Sequence, residues 1–481
     1  MALLEDAYEA LLGEIFTRFP SVQKDGFSSG AYKPGLERMY AFNEALGRPD
    51  RALHLVHVAG TNGKGSVSSL LASALSSSGY RTGLYTSPHL VDFRERLKIV
   101  AAEGTDTSVR YAPSELSFPS KLGPLEGLDN GVPENPGIFG VSRPRAAMPS
   151  EVSVPSAAMV PKEYVYDFLM RWGGYFREMD LSFFEITTGM ALRWFADEGV
   201  DFAVMEVGLG GRLDSTNIIV PEVSVVTGIG LDHMALLGDT RPEIAAEKAG
   251  IFKDGVPAVV ASRDEETESV FRAAAKGELI FADEAEPWLW DRAEEMLVSM
   301  DLQAKVQRKN LRTALWALDV LRRKYPLDGD AVRDGIVHAA SRTGLHGRWE
   351  MVSRDPRVIM DIGHNADALR HNFSQLREMA PSRLVIVYGI MADKDLDAII
   401  PLMPSGAEYI FTTPSTPRAL PSEDILRRFE AAGRSGAVSV PSVREAVLRA
   451  LSTVSGDPDA LVYIGGSTFV VSEAASIFEN K

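Results

Sequence analysis

Short runs of β-branched and aliphatic residues alternate with helical spacings along most of this chain. HLVHVA (54–59) is one such run, and it stops at Gly60. From Lys64, KGSVSSLLASALSSSGY places apolar residues at Val67, Leu70, Leu71, Ala74 and Leu75 before Gly79, the spacing of a helix with a glycine stop. TGLYT (82–86) is the next strand. Strand, glycine loop, helix and strand make a βαβ unit, which predicts a parallel sheet. FAVMEVG (202–208), VSVVTGI (223–229), PAVVAS (257–262) and ELIFA (278–282) extend the pattern, with a helix over 187–198 ahead of the first. After about residue 345 the alternation restarts with VIMDIG (358–363), LVIVYGI (384–390), YIFTT (409–413) and LVYIGG (461–466). A second, smaller α/β domain is therefore expected, with a hinge near Thr343–Gly347.

Two segments break the pattern. MALLEDAYEALLGEIFTRF at the start reads as an amphipathic helix, because its acids interrupt the apolar core that a secretory leader needs. Residues 101–161 are rich in Pro, Gly and Ser without sustained periodicity, and are expected to be a peripheral insertion rather than a substrate lid. Length points the same way as the pattern: 481 residues exceed the roughly 250–300 at which one core stops growing.

Charge and composition narrow the function. Fifty basic residues against 66 acidic ones give a net charge of −16, which disfavours general binding to nucleic acid. The chain has no cysteine, so thiolate zinc sites, disulfides and cysteine nucleophiles are excluded, and a metal would need oxygen or imidazole ligands. No run approaches the 18 or so apolar residues of a membrane span. The expected setting is cytoplasmic, and the expected state a monomer.

The sharpest chemical feature is HVAGTNGKGS (57–66), in which Gly60, Thr61, Asn62, Gly63, Lys64, Gly65 and Ser66 join a strand to a helix. Glycines let backbone approach a phosphate, the helix N-terminus offers free N–H donors, and Lys64 adds a charge. The hydroxyl follows the lysine by two positions, so this is not a strict Walker A loop, but nucleotide phosphate binding is the better reading than a bare glycine turn. Ser87, Asp232 and His233 follow other strands, Glu206 lies in the strand VMEVG, and all four would share the same sheet edge, where Mg²⁺ could bridge them to triphosphate. Singly, each is as well explained as a turn residue, a salt bridge or a helix cap. Lys248 in EIAAEKAGIFK (243–253), taken alone, reads as a solvated helix charge. In the second lobe, Arg348 near the hinge could reach a phosphate and Asp361 a ribose hydroxyl, while a hinge salt bridge and a strand-end cap explain them equally well. His364 and Asn365 stand at the same strand end, and MADKD (391–395) after another strand has no role that residue chemistry assigns.

Taken in order, AYKPGLERM (31–39), HVAGTNGKGS, YTSPHLVDFRERLKI (85–99), FFEITTGMA (183–191), MEVGLGGRLDSTN (205–217), GIGLDHMALLGDT (228–240), AAEKAGIFK (245–253), GRWE and DIGHN resemble the folylpolyglutamate synthase/dihydrofolate synthase family of the Mur ligase superfamily. The resemblance implies an α/β fold: a P-loop, Mur-ligase-like N-terminal domain with a parallel sheet over 1–343, carrying 101–160 as a flexible insertion, and a smaller Rossmann-like glutamate ligase domain over 344–481. It implies ATP in the cleft, with Gly60–Ser66 on the phosphates, Asn310 on the adenine, and Arg348 and Asp361 as further ATP contacts. Ser87, Glu206 and His233 would bind Mg²⁺, and Lys248 would be carbamylated and help hold a second Mg²⁺, which overturns its reading as a surface charge. Lys33, Pro34, Gly35, Leu36, Phe183, Phe184, Arg212 and His364 match the substrate region. Lys64, Lys248, His233 and Arg348 are the expected catalytic set. Departures are Gly363 and Ala366 around His364-Asn365, where the family reads alanine and proline, and the absence of the usual glycine before Gln307.

The implied reaction is ATP-dependent ligation of L-glutamate to dihydropteroate and to reduced folates through an acyl phosphate. The alternatives are a folylpolyglutamate synthase without dihydropteroate activity, another Mur-type amino-acid ligase, or a nucleotide-binding regulator without turnover. An intact phosphate loop and metal set argue against the last.

Overall fold

The computed structural model describes residues 2–19, 33, 35–101 and 157–478. Two sheets carry the architecture. The first contains β1 (His54–Ala59), β2 (Thr82–Tyr85), β3 (Leu97–Val100), β4 (Ala158–Met159), β5 (Phe202–Glu206), β6 (Val223–Val226), β7 (Ala258–Val260) and β8 (Leu279–Phe281). Its order is β4-β3-β2-β5-β1-β6-β7-β8, parallel from β2 to β8, with β3 and β4 antiparallel at one edge. The second contains β9 (Glu350–Arg354), β10 (Arg357–Asp361), β11 (Leu384–Tyr388), β12 (Glu408–Phe411), β13 (Ala437–Ser439) and β14 (Leu461–Gly465). Its order is β13-β12-β11-β14-β10-β9, parallel except for β9.

Both sheets are covered on both faces, which is why their central strands read as continuous apolar runs. On one side of the first sheet pack helices Lys162–Glu178 and Phe183–Asp197 and the N-terminal helix Ala2–Arg18, which buries Tyr8, Leu11, Leu12 and Ile15. On the other lie helices Lys64–Ser77, Gln307–Leu321 and Gly329–Val337. The serines of Lys64–Ser77 explain its burial: small side chains allow close approach, and Ser73 Oγ donates to Gly335 O at 2.6 Å. The helix predicted over 187–198 starts earlier, at Phe183, because Ser182 and Glu185 form a capping box.

Four strands escaped the sequence pattern. β3 and β9 flank polar turns, β4 has two residues, too few for a period to show, and β13 is a half-buried edge strand without a continuous apolar run. β4 also corrects the expected insertion, because residues 158–159 belong to the sheet and Val160 is buried. Residues 102–156, the rest of that insertion, lie outside the described residues. Among the described residues no helix is long and apolar enough to cross a membrane.

Candidate active site

The carboxyl ends of the parallel strands in both sheets open on one cavity of about 1070 Å³, between the loops after β1, β2, β5 and β6 and those after β10, β11 and β14. Ligands bind at this edge of a doubly wound sheet. Thr61–Ser66 form part of its wall. Gly60 (φ +153°) could not carry a side chain, since a Cβ would stand 1.9 Å from Thr227 Oγ1. Gly63 (φ +88°) turns the chain into the helix at Lys64. At Gly65 the contact is tight but yielding: Arg348 Nη2 lies 3.1 Å from where its Cβ would be.

Two lysines converge behind the loop. Lys64 Nζ donates to Gly60 O at 2.9 Å and to Thr61 O at 3.2 Å, and Lys248 Nζ donates to the same Gly60 O at 3.0 Å. Burial lowers the Lys64 pKa. Burial, then the charge of Lys64, pulls Lys248 down to about 7. Lys248 is 3% exposed, so its reading as a solvated surface charge is wrong. It is held there by the loop after β5: Arg212 N donates to Glu247 O, and Asn217 Nδ2 to Gly250 O. The same latch places the Arg212 side chain beside Glu247. Its guanidinium turns to Glu247 Oε1 at 2.7 Å and is not part of the cavity wall.

Ser87, Glu206 and His233 all face the cavity. Ser87 N lies 3.4 Å from Glu206 Oε2, and burial pushes the Glu206 carboxyl up to about 7 despite Lys64 and Arg348 nearby. Burial drives His233 down to about 3, so its imidazole is neutral, the form that ligates metals. Among the described residues no three acidic or histidine side chains form a ready cage. A carboxylate, a hydroxyl and a neutral imidazole beside a phosphate loop nevertheless suit Mg²⁺, which takes few protein ligands and completes its shell with water and phosphate.

Asp232 joins the lobes. Its Oδ1 accepts from Lys394 Nζ at 2.5 Å, and its Oδ2 lies 3.3 Å from His364 Nε2 and 3.1 Å from Asn365 Nδ2. Asn365 also exchanges amide hydrogen bonds with Asn62 of the phosphate loop at 3.1 and 3.0 Å. Burial works to raise the Asp232 pKa, but the hydrogen bond and charge of His364, with His233 and Lys394, hold it well below the usual range. Thus the MADKD segment acquires a role that only the assembled fold reveals. Asp361 accepts from Gly363 N at 2.7 Å, Asn372 Nδ2 at 2.6 Å and Trp349 N at 2.8 Å, so it organises the turn around Arg348 as well as lining the cavity.

Asn310 lines the cavity beside Gly63 and donates to Gln307 Oε1 at 2.8 Å, while Gln307 Nε2 reaches Ser66 Oγ at 3.2 Å. Gln307 was not singled out in the sequence. At the other end, Lys33, Phe183 and Phe184 line the wall, with Lys33 paired to Asp180 at 2.6 Å. Gly35 and Leu36 are not part of it, Leu36 packing instead on the helical core, and Pro34 lies outside the described residues. Arg96 is a second residue the sequence reading passed over. It is buried, sits 5.3 Å over the Phe183 ring, donates from Nε to His89 Nδ1 at 2.8 Å and faces the cavity. Its place in RERL, within the same motif as Ser87, was the available signal.

Residues 173–312 match the Mur ligase middle domain and residues 347–468 the Mur ligase glutamate ligase domain. Dihydrofolate synthase/folylpolyglutamate synthase of Bacillus subtilis is 30% identical over 463 residues, covering 92% of this chain and 94% of the relative. A structure of Mycobacterium tuberculosis folylpolyglutamate synthase complexed with ADP superimposes with a TM-score of 0.76 at 25% identity, over 99% of each chain. Escherichia coli FolC in complex with DHPP and ADP gives 0.71 at 25% identity, over 99% of this chain and 98% of that one. On these grounds the chain belongs to the dihydrofolate synthase/folylpolyglutamate synthase family of Mur-type ligases.

Proposed function

We propose that this chain is an ATP-dependent acid–amino-acid ligase that joins L-glutamate to dihydropteroate and to reduced folates. The observation that carries the reading is a phosphate loop whose lysine, an interlobe arginine and a buried carboxylate meet in one cavity between two sheets. We take residues 1–343 as the nucleotide-holding domain and 344–481 as the glutamate-ligating one, acting as a cytoplasmic monomer.

In this reading Thr61–Ser66 and the N-terminus of the Lys64 helix hold the triphosphate, and Lys64 leaves the carbonyls of Gly60 and Thr61 for the γ-phosphoryl group. Arg348 adds a second cation from the lobe junction. Asn310 contacts the base, and Asp361 the ribose. Glu206, Ser87 and His233 would hold Mg²⁺, which would supply positive charge against the triphosphate and the approaching substrate carboxylate. Lys248, with an amine pKa near 7, has the neutral fraction needed to take up CO₂, and its carbamate would serve a second Mg²⁺. Phe183, Phe184, Arg96 and Lys33 receive the pteroyl substrate.

The substrate carboxylate attacks the γ-phosphorus, ADP leaves, and the glutamate amine attacks the acyl phosphate with loss of phosphate. Lys64 and Arg348 offset charge that grows on the transferred group. Closure of the lobes through Asp232 keeps water from the acyl phosphate. The test is glutamate-dependent phosphate release from Mg-ATP, with dihydropteroate and tetrahydrofolate offered separately. Release with both supports the bifunctional ligase. Release with tetrahydrofolate alone makes the chain a folylpolyglutamate synthase, and release with neither refutes the reading.

A further inference from the structure

The segment joining the lobes is pinned at both ends. On the second-lobe side, Glu350 Oε2 accepts from Gly347 N at 2.7 Å, Ile362 N donates to Gly347 O at 3.0 Å, and Trp349 N donates to Asp361 at 2.8 Å. On the first-lobe side three successive carbonyls point at the antiparallel edge of the first sheet. Ala157 N donates to Arg342 O at 2.9 Å, and a single side chain, Lys98 of β3, reaches the next two: Thr343 O at 2.9 Å and Gly344 O at 2.8 Å. Lys98 is 7% exposed, so it is a built part of the junction rather than a surface charge. Gly344 (φ +60°) and Gly347 (φ +67°) turn the chain in the left-handed region, and Arg348 follows directly. Its guanidinium then reaches the space over Gly65 of the phosphate loop.

We infer that Lys98 is a positioning residue for the ligase reaction: by tethering the carbonyls of Thr343 and Gly344 it sets where the linker leaves the first lobe, and thereby places Arg348 on the nucleotide phosphates. This rests on the reading of Arg348 given above. The geometry supports it in a second way. Lys98, Glu206, Leu345 and Arg348 line one small cavity of about 30 Å³, room for about one water, so the tether and the arginine belong to the same corner of the junction. Burial draws the Lys98 ammonium down to about 8, still protonated at neutral pH, where two carbonyl acceptors suit it. Short-range tethers of this kind matter because a displacement on the order of 1 Å in a positioned group costs up to about a hundredfold in rate.

The test is the affinity of the full chain for a fluorescent non-hydrolysable ATP analogue with Mg²⁺, in Lys98→Met, Lys98→Arg, Arg348→Ala and Lys98→Met/Arg348→Ala. We expect Lys98→Met to bind about tenfold more weakly, Lys98→Arg to recover most of that, and the double variant to bind like Arg348→Ala alone, within about twofold. Gly344→Ala strains the same turn without altering Lys98 and should weaken binding in the same non-additive way, which keeps the test open if Lys98→Met does not fold. Effects that multiply, or normal binding by Lys98→Met while Arg348→Ala is weakened, overturn the tether. Normal binding by Arg348→Ala overturns the Arg348 assignment itself, and the tether with it.

Discussion

Replacing Asp232 by asparagine removes one negative charge from the point where the lobes meet. The carboxylate has Lys394 at 2.5 Å, and the two side chains are 8% and 10% exposed. His364 and Asn365 share its other oxygen. Breaking a buried ion pair by removing one partner costs about 3–5 kcal/mol, because the remaining charge is left uncompensated. Lys394 lies on the wall of the large cavity and regains some hydration, and asparagine keeps one acceptor. The net loss is therefore about 2–3 kcal/mol of the free energy holding the lobes together, or roughly 30- to 150-fold in the balance between docked and separated lobes. Small-angle X-ray scattering of the ligand-free protein should show a larger radius of gyration, with faster proteolysis at the lobe junction. Removing both charges, in Asp232→Asn/Lys394→Met, leaves no orphan cation and should bring the scattering back toward the parent. An Asp232→Asn protein with unchanged scattering and protease sensitivity would refute the clasp, as would a double variant more open than either single one.

Lys64→Ala should lower glutamate-dependent phosphate release by at least about 10³-fold with the melting temperature within a few degrees, since a buried lysine whose pKa is lowered is not a net stabiliser. In Mg²⁺-free buffer, Glu206 should make the fold less stable as pH rises. Its folded pKa of about 7 exceeds the ordinary glutamate value of 4.5, so ionisation is penalised in the folded state, and up to about 3 kcal/mol of its contribution is lost across that window. Because the buried His57, His89 and His233, drawn down to about 3, add stability over the same rise in pH, the slope to compare is that of the parent minus that of Glu206→Gln in denaturant titrations, and equal slopes in both proteins would exclude Glu206 as a contributor. For Lys248, ¹³CO₂ should give a carbamate signal in NMR spectra that Lys248→Arg lacks, and the signal should fade below pH of about 7, as protonation blocks the amine. Equal spectra from both proteins would remove the carbamate from the mechanism.

The residues legible in advance were those whose chemistry is local. The glycines and lysine of HVAGTNGKGS act through backbone torsion and a helix N-terminus, both properties of adjacent residues. Capping at Ser182 was equally local and readable from the Ser-x-x-Glu spacing, although the predicted helix began four residues late. Lys248 shows the opposite case. Nothing within its own helix distinguishes a surface charge from a buried amine, and the motif resemblance was needed to see past that. Arg212 shows what a motif leaves open, since matching a segment does not say that its arginine pairs with Glu247 on the Lys248 helix.

The amino-acid sequence by itself determined the two α/β lobes, the strand that ends in a phosphate loop, and the exclusion of thiol chemistry, because periodicity, glycine torsion and composition are intrinsic to short stretches. The tertiary structure decided what depends on distance through space. It brought Lys394 onto Asp232 across 162 positions and Lys98 onto Gly344 across 246, and it buried Glu206 and Lys248 deeply enough to move both toward neutrality. Desolvation and charge pairing depend on which groups are neighbours in the folded chain, and residue order alone does not encode those distances.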